Sequence, residues 1–332
     1  MKFWQRFIWI VFSMGMGIGM HACSPSPPAP TLEVLPPTIT STFTPVPGTL
    51  APPQPSSTPA LTATPFVSPT STIFPPPGTQ GEHFLFTRPI DIWVDFTYRY
   101  GSTQNGTRAT HHGADLVVEC GLPVQAGADG EVVVAGGDWQ DVYGPYQSFY
   151  GNLVVLRHEA FSGRQEIFTL YGHLSQVNVE VGDFVSRGDV LGEVGFTGAA
   201  IGCHLHFEVR LGENNYASTR NPELWMLPNR DEAGTFNGAI AGQLMGLTGY
   251  PIPGVDIEIQ RLDEDGKVIH TIYTTTYADQ SVNGDDEWKE NFAVGNLAPG
   301  QYQVQFIANG LEVYKVEVKP GQVALIYFQL GE

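Results

Sequence analysis

The sequence predicts a mainly β protein with two folded β domains, the second of them a seven-stranded sandwich. Three observations carry that prediction. The chain has 332 residues, enough for two domains plus tails. From residue 130 onward, short apolar or alternating runs recur between Gly-rich turns. After residue 234, seven such runs follow one another at short spacing.

Taken in order, residues 1–23 read as an export signal. Lys2 and Arg6 precede a mostly apolar run of 14 residues, Phe7–Met20, too short for a comfortable membrane span and of the right length for a signal core. Ala22-Cys23 then resembles a lipoprotein processing site, which implies Cys23 as the lipid-bearing amino terminus. Residues 24–80 hold 17 of the 26 prolines and one charge, Glu33. Such a segment cannot bury a core and favours extended polyproline II. At about 3.1 Å per residue its reach is on the order of 150 Å, less whatever flexibility removes.

The first folded domain is expected over 81–230. Its strands are Gly130–Ala135, Asn152–His158 and Gln165–Tyr171, each short and bounded by turns such as Gly136-Gly137 and Gly121-Leu122-Pro123. The unit Val181–Val194 places hydrophobic residues between glycines and resembles half of a biotinyl or lipoyl carrier. Those carriers need a lysine, and residues 81–228 contain none, so the likeness implies shared barrel-sandwich architecture and not shared function. The second domain is expected over 234–332, with strands at Gly238–Leu244, Val255–Arg261, Val268–Thr275, Asn291–Val294, Gln301–Ala308, Glu312–Val318 and Val323–Gln329. Its turns, among them Asp265-Gly266 and Pro299-Gly300, fit an antiparallel sandwich. The runs Pro251–Ile259 and Asn296–Val304 resemble an Ig/prealbumin-like or carboxypeptidase-regulatory sandwich, which brings no chemistry with it.

Charge excludes one class of partner. Residues 81–228 hold 8 Arg and 18 acidic residues, and residues 229–332 hold 6 basic and 15 acidic. No basic patch can track a phosphate backbone, so nucleic acid is not an expected partner.

Chemistry concentrates in the stretch Thr197–Val209. Leu205, Phe207 and Val209 alternate with His204, His206 and Glu208, which describes a strand with two imidazoles on one face, about 7 Å apart. Upstream lie His111-His112-Gly113-Ala114-Asp115 and Tyr171-Gly172-His173-Leu174. These motifs, in this order, resemble the lysostaphin-type zinc endopeptidases of bacterial cell walls over about residues 85–228. The resemblance implies a barrel-sandwich-like antiparallel peptidase domain and one Zn2+ held by His111, Asp115 and His206. It implies His173 and His204 as catalytic histidines. One takes a proton from the attacking water and the other donates a hydrogen bond to the oxyanion; the resemblance implies His204 as the base, while the residues alone do not choose. A tyrosine upstream of the first ligand is also implied, and Tyr98 and Tyr100 both qualify.

Two imidazoles and one carboxylate suit a catalytic zinc, which needs three protein ligands and one open position. Alternation should turn His112 away from the metal. His158 reads as a hydrogen-bonded structural residue, and His83 and His270 have no motif around them. In an exported protein Cys120 and Cys203, which flank the two metal motifs, are expected to form a disulfide. The aromatics of residues 136–151 read equally well as a groove wall and as a packed turn. The whole implies an envelope lipoprotein facing the wall, which hydrolyses peptide crosslinks or stem peptides of peptidoglycan. The alternative is a wall-binding lipoprotein that activates another wall hydrolase or works beside a divisome protein.

Overall fold

Alternating apolar side chains set nearly every element of the chain. The computed structural model describes residues 83–159, 165–308 and 310–330; the export signal, Cys23 and the proline-rich tether lie outside the described residues. The first ten strands are β1 (Ala114–Val117), β2 (Pro123–Gln125), β3 (Gly130–Gly137), β4 (Asn152–His158), β5 (Ile167–Leu174), β6 (Gln176–Val177), β7 (Phe184–Val185), β8 (Val190–Glu193), β9 (His204–Leu211) and β10 (Thr219–Arg220). A seven-stranded antiparallel sheet runs β1-β9-β5-β4-β3-β7, with β10 on the β1 side of β9, and β2-β8-β6 form a second sheet. The strand expected at Gln165–Tyr171 starts at Ile167 and runs on to Leu174, because Gly172 pairs with His206 and Leu174 with Asn152.

The two faces of the large sheet bury different residues. On β4, Val154 and Leu156 join the main core, while Leu153 and Val155 join a second cluster with Tyr150, Phe168 and Leu170. On β9, Leu205, Phe207 and Val209 fill the main core. The opposite face of β9 carries His204, His206, Glu208 and Arg210, all buried.

Seven further strands follow: β11 (Gly238–Met245), β12 (Asp256–Leu262), β13 (Val268–Thr275), β14 (Phe292–Leu297), β15 (Gly300–Ile307), β16 (Leu311–Val318) and β17 (Val323–Gln329). They form a three-stranded sheet, β14-β11-β17, and a four-stranded sheet, β13-β12-β15-β16. One pair departs from the antiparallel expectation: β11 and β17 run parallel. A parallel neighbour needs a long connection, and here the whole of the sandwich intervenes between its first and last strands. Ile240, Leu244, Phe292, Val304 and Phe328 lie in the core between the sheets.

The sandwich also shares a core with the first sheets. Ala239, Ala241, Trp288, Ala293 and Val323 belong to the same buried cluster as Leu116, Phe207, Leu224 and Trp225. Arg99 Nη1 reaches both carboxylate oxygens of Glu223, at 2.5 and 2.6 Å, and Glu223 Oε2 accepts from the backbone N–H of Gly295 on β14 at 2.9 Å. The described residues therefore make one compact unit.

Glu290, just before β14, gives this unit a pH dependence. Burial pushes its carboxyl up to about 8, against the Asp285 N–H and Tyr277 hydroxyl that donate to it. An unfolded Glu titrates near 4.3, so the folded chain holds an extra proton in between. That contribution is complete below about pH 4 and is lost as pH rises through about 8. Glu290→Gln should therefore gain thermal stability relative to wild type as pH is raised across that window. A gap between the two midpoints that stays constant with pH would contradict the assignment.

Candidate metal centre

The register of β1 against β9 builds the site. Asp115 lies directly opposite His206, so both side chains leave the sheet on one face within reach of each other. His111 arrives from the loop before β1, its N–H donating to Ser102 O (3.0 Å) and its carbonyl accepting from Gly101 N–H (2.8 Å). Gly113, between the two ligand positions, has a packing reason: a Cβ there would stand 2.6 Å from the His206 ring. Gly172, opposite His206 on β5, lies against the Tyr150 ring, 3.0 Å from where a Cβ would stand.

Three donor atoms converge. His111 Nε2 is 3.2 Å from Asp115 Oδ1 and 3.3 Å from His206 Nδ1, and His206 Nδ1 is 2.9 Å from Asp115 Oδ1. Ligands bound to tetrahedral zinc at about 2.0–2.2 Å stand roughly 3.3–3.5 Å apart, so the triangle needs only a small expansion. The outer ring nitrogens fix which atoms point inward. His111 Nδ1–H donates to Tyr98 O at 2.6 Å, leaving Nε2 as the acceptor. His206 Nε2–H donates to Glu208 Oε1 at 3.0 Å, leaving Nδ1. Two lone pairs and a carboxylate oxygen thus face one point, which only a proton or a cation can occupy favourably. Burial alone would raise the Asp115 carboxyl and lower the His206 imidazole. The imidazoles of His111 and His206 instead hold Asp115 well below the usual carboxylate range. Asp115 and Glu208 raise His206 to about 9.

His173 and His204 stand beside this triangle, with ring centroids 4.8 Å apart. His204 Nδ1 meets Gly202 O at 3.0 Å, so Nδ1 carries the proton and Nε2 is the acceptor, 3.8 Å from Asp115 Oδ1. His173 Nδ1 is held by Thr197 O (2.8 Å) and Tyr150 O (3.1 Å). Its Nε2 is therefore also an acceptor, whereas a donor to an oxyanion needs that nitrogen protonated first. Burial, then the neighbouring His206 and His204, pushes His173 down to about 3. Burial likewise lowers His204, so both are neutral near pH 7. His173, the last residue but one of β5, has φ 64°, a backbone conformation that costs energy outside glycine and is held here by its N–H bond to Tyr150 O at 2.9 Å.

A cleft of about 310 Å³ opens onto the five residues, lined also by Tyr98, Arg108, Val117, Phe149, Ile201 and Tyr216. Of the two candidate tyrosines, Tyr98 lies in it, stacked on His111 at 4.1 Å with its hydroxyl donated to Ala109 O at 2.6 Å. Tyr100 is buried away from it against Thr219 and Asn283. The aromatic loop divides its labour: Phe149 lines the cleft, Tyr150 is fully buried, and Trp139 and Tyr146 are exposed. Cys120 and Cys203 are joined, with Cα atoms 5.2 Å apart; the link ties the chain after β1 to the start of β9. His112 turns away from the triangle, between Tyr216 and Thr219 on one side and Ser281 on the other. His158 is held by Asp129 O and Thr169 Oγ1, His83 stacks on Trp288, and His270 is exposed.

Two residues of the centre, Glu208 and Arg210, carry no role in the sequence reading, and Tyr150 has there only that of a groove wall or packed turn. Glu208 is fully buried beneath His206 and accepts from Tyr150 Oη at 2.5 Å and Arg210 Nε at 2.7 Å. Burial alone would raise the Glu208 carboxyl; Arg210, His206 and Tyr150 hold it down at about 2. The available signal was the alternation itself, which puts Glu208 and Arg210 on the same face as His206.

Comparison with known proteins finds a similarity over the stretch that holds these residues. Residues 109–218, which contain all five, match the model of peptidase family M23. The chain is 33% identical over 182 residues to the DD-carboxypeptidase/endopeptidase Mpg of Neisseria meningitidis, covering 53% of this chain and 37% of that protein. It is 38% identical over 112 residues to glycyl-glycine endopeptidase ALE-1 of Staphylococcus capitis, covering 33% and 28%. A crystal structure of a zinc-containing peptidase from Vibrio cholerae aligns with 28% identity and a TM-score of 0.32, covering 40% of this chain and 38% of that one. The chain spans well under half the length of both curated relatives. Among the described residues, His111, Asp115 and His206 form a buried His/Asp/His group with the donor set to hold a metal ion such as zinc.

Because Glu208 fixes the His206 tautomer, Glu208→Gln should weaken zinc binding by about 10–100-fold, as loss of a ligand's outer partner does. Chelator competition measures this. Wild-type affinity in a folded Glu208→Gln chain would contradict the role.

Proposed function

We propose that this chain, which carries a peptidase family M23 domain over residues 109–218, is an exported zinc endopeptidase that cuts peptide bonds in bacterial peptidoglycan. The observation that carries the reading is the gathering of three inward-facing donors and two neutral imidazoles in one cleft. His111 Nε2, Asp115 Oδ1 and His206 Nδ1 hold the ion. Zinc, when bound, supplies a Lewis acid that polarises a carbonyl oxygen and lowers the pKa of a coordinated water.

The remaining steps belong to side chains. His204, with its proton on Nδ1 and Nε2 toward the cleft, takes a proton from the attacking water and returns it to the leaving amine. His173 presents the second acceptor and orients that water. Phe149, Val117 and Ile201 give the cleft apolar walls against which an extended peptide can lie. Relatives named a DD-carboxypeptidase/endopeptidase and a glycyl-glycine endopeptidase support a crosslink or stem peptide as the substrate class. Lipidation at Cys23 and the tether over 24–80 fit an enzyme that works at a distance from its membrane.

Purified full-length protein should release new amino termini, and no new reducing sugar ends, from at least one of several wall types, in a chelator-sensitive way. His206→Ala and Asp115→Ala should lose zinc. His204→Ala and His173→Ala should keep zinc and lose about 10²–10⁴-fold in turnover. Zinc-loaded wild type that leaves every wall uncut but stimulates an added amidase would replace the enzyme reading with a regulatory one. Intact mass of membrane-extracted protein should place a lipidated amino terminus at Cys23; a mature form beginning at Met1 would refute the anchor.

A further inference from the structure

Residues 277–283 lie in the connection between β13 and β14, outside both sheets of the sandwich. They lie instead on the loop that delivers His111. Asp279 Oδ2 accepts from Thr110 Oγ1 at 2.6 Å, and Ser281 Oγ meets His112 Nε2 at 3.2 Å. The residues on either side of the first ligand are therefore both tied to this segment. Its grip extends to the strip paired with His111. Gly101, whose N–H donates to His111 O, accepts at its own carbonyl from Ala278 N–H at 2.8 Å. The Tyr277 ring packs on the same glycine so closely that a Cβ there would collide with it. Tyr100 Oη accepts from Asn283 N–H at 3.0 Å, and Tyr100, Tyr277 and Val282 form a small buried cluster of their own.

We infer that residues 277–283 of the sandwich are a positioning element of the metal centre, holding the loop of residues 100–112 so that His111 Nε2 meets Asp115 and His206. The inference rests on the zinc reading above. Its physical basis is asymmetry among the ligands. Asp115 and His206 sit on paired strands and are fixed by the β1–β9 register. His111 sits on a loop, and a loop ligand holds its place only as well as the groups around it. The peptidase domain supplies Tyr98 O and the Tyr98 ring to the imidazole, Ser102 O and the Gly101 N–H to the backbone, and Tyr216 O and Thr219 Oγ1 to the neighbouring His112. The side-chain contacts of Thr110 Oγ1 and His112 Nε2, on either side of His111, come from a segment 169 residues away in sequence. Asp279 also organises its own turn, accepting from Ser281 N–H and Oγ, so one carboxylate sets both contacts that flank His111.

The test uses the full chain with Asp279→Ala/Ser281→Ala and, separately, Asp279→Asn, which keeps an acceptor for Thr110. Zinc affinity is read by chelator competition, ligand geometry by the visible bands of the Co2+-substituted protein, and stability by the thermal midpoint of the metal-free protein. The double variant should bind zinc about tenfold more weakly, within the range expected for outer partners of a ligand, with altered Co2+ bands and an unchanged metal-free midpoint. Asp279→Asn should stay near wild type in all three. Wild-type affinity and bands in the double variant would overturn the inference. So would a loss of affinity matched by a lower metal-free midpoint and shared by Asp279→Asn, which reduces the segment to packing. A wild-type chain that binds no zinc is a different failure, that of the peptidase reading itself.

Discussion

The contact on which the rest depends is Asp115 Oδ1 against the Nδ1 of His206, 2.9 Å apart across the β1–β9 pair. A carboxylate and an imidazole lone pair, both buried, repel unless a positive charge sits with them. Everything around the pair maintains that demand. Glu208 holds the His206 proton on the outer nitrogen, and Arg210 keeps Glu208 ionised. Tyr98 O does the same for His111. The fold thus builds a cation site by controlling where protons go, and the two spare imidazoles inherit the same control through carbonyl acceptors at Gly202 and Thr197.

Close packing enforces this arrangement. Gly113 lets the His206 ring approach the first motif, and Gly172 lies against the Tyr150 ring that reaches Glu208. His173 accepts an unfavourable φ to place its ring in the cleft. The disulfide ties the chain segments that flank the β1–β9 pair. On the outer side the sandwich contributes to the shared core and donates the Gly295 N–H to Glu223, whose buried ion pair with Arg99 lies within the first domain. Breaking one member of such a pair leaves an uncompensated charge, which costs about 3–5 kcal/mol. The shared buried cluster joins the two halves of the described chain.

What the sequence made legible follows from the range of each signal. Period-two alternation is local, so the longer strands named between Gly130 and Gln329 lie within a few residues of their expected places, while the short β6, β7, β8 and β10 carry too few residues to show it. The resemblance carried by His111-x-Gly-x-Asp115 and His204-x-His206 implied His111, Asp115 and His206 as a set, and the fold brings their donor atoms together. The residues that serve the ligands were not legible, because Glu208 matters only once β9 is known to face Tyr150 across the sheet, and alternation alone does not rank one buried polar residue above another. The parallel β11–β17 pair and the docking of residues 277–283 were hidden for the same reason: both are contacts between distant segments, and a turn-rich stretch such as Ala278–Gly284 reads as a loop whatever it touches. Tyr98 and Tyr100 differ by two residues and only the folded loop separates the one in the cleft from the one in the core.

The central claim is that proton placement by Glu208 and Tyr98 prepares one three-ligand zinc site. Anomalous diffraction at the zinc edge from crystals of the zinc-loaded full-length chain tests it most directly. The account predicts a single strong peak about 2.0–2.2 Å from His111 Nε2, Asp115 Oδ1 and His206 Nδ1, with His173 and His204 outside the coordination sphere. A peak ligated by His204 or His173 in place of one of the three, or by His206 through Nε2, would contradict it.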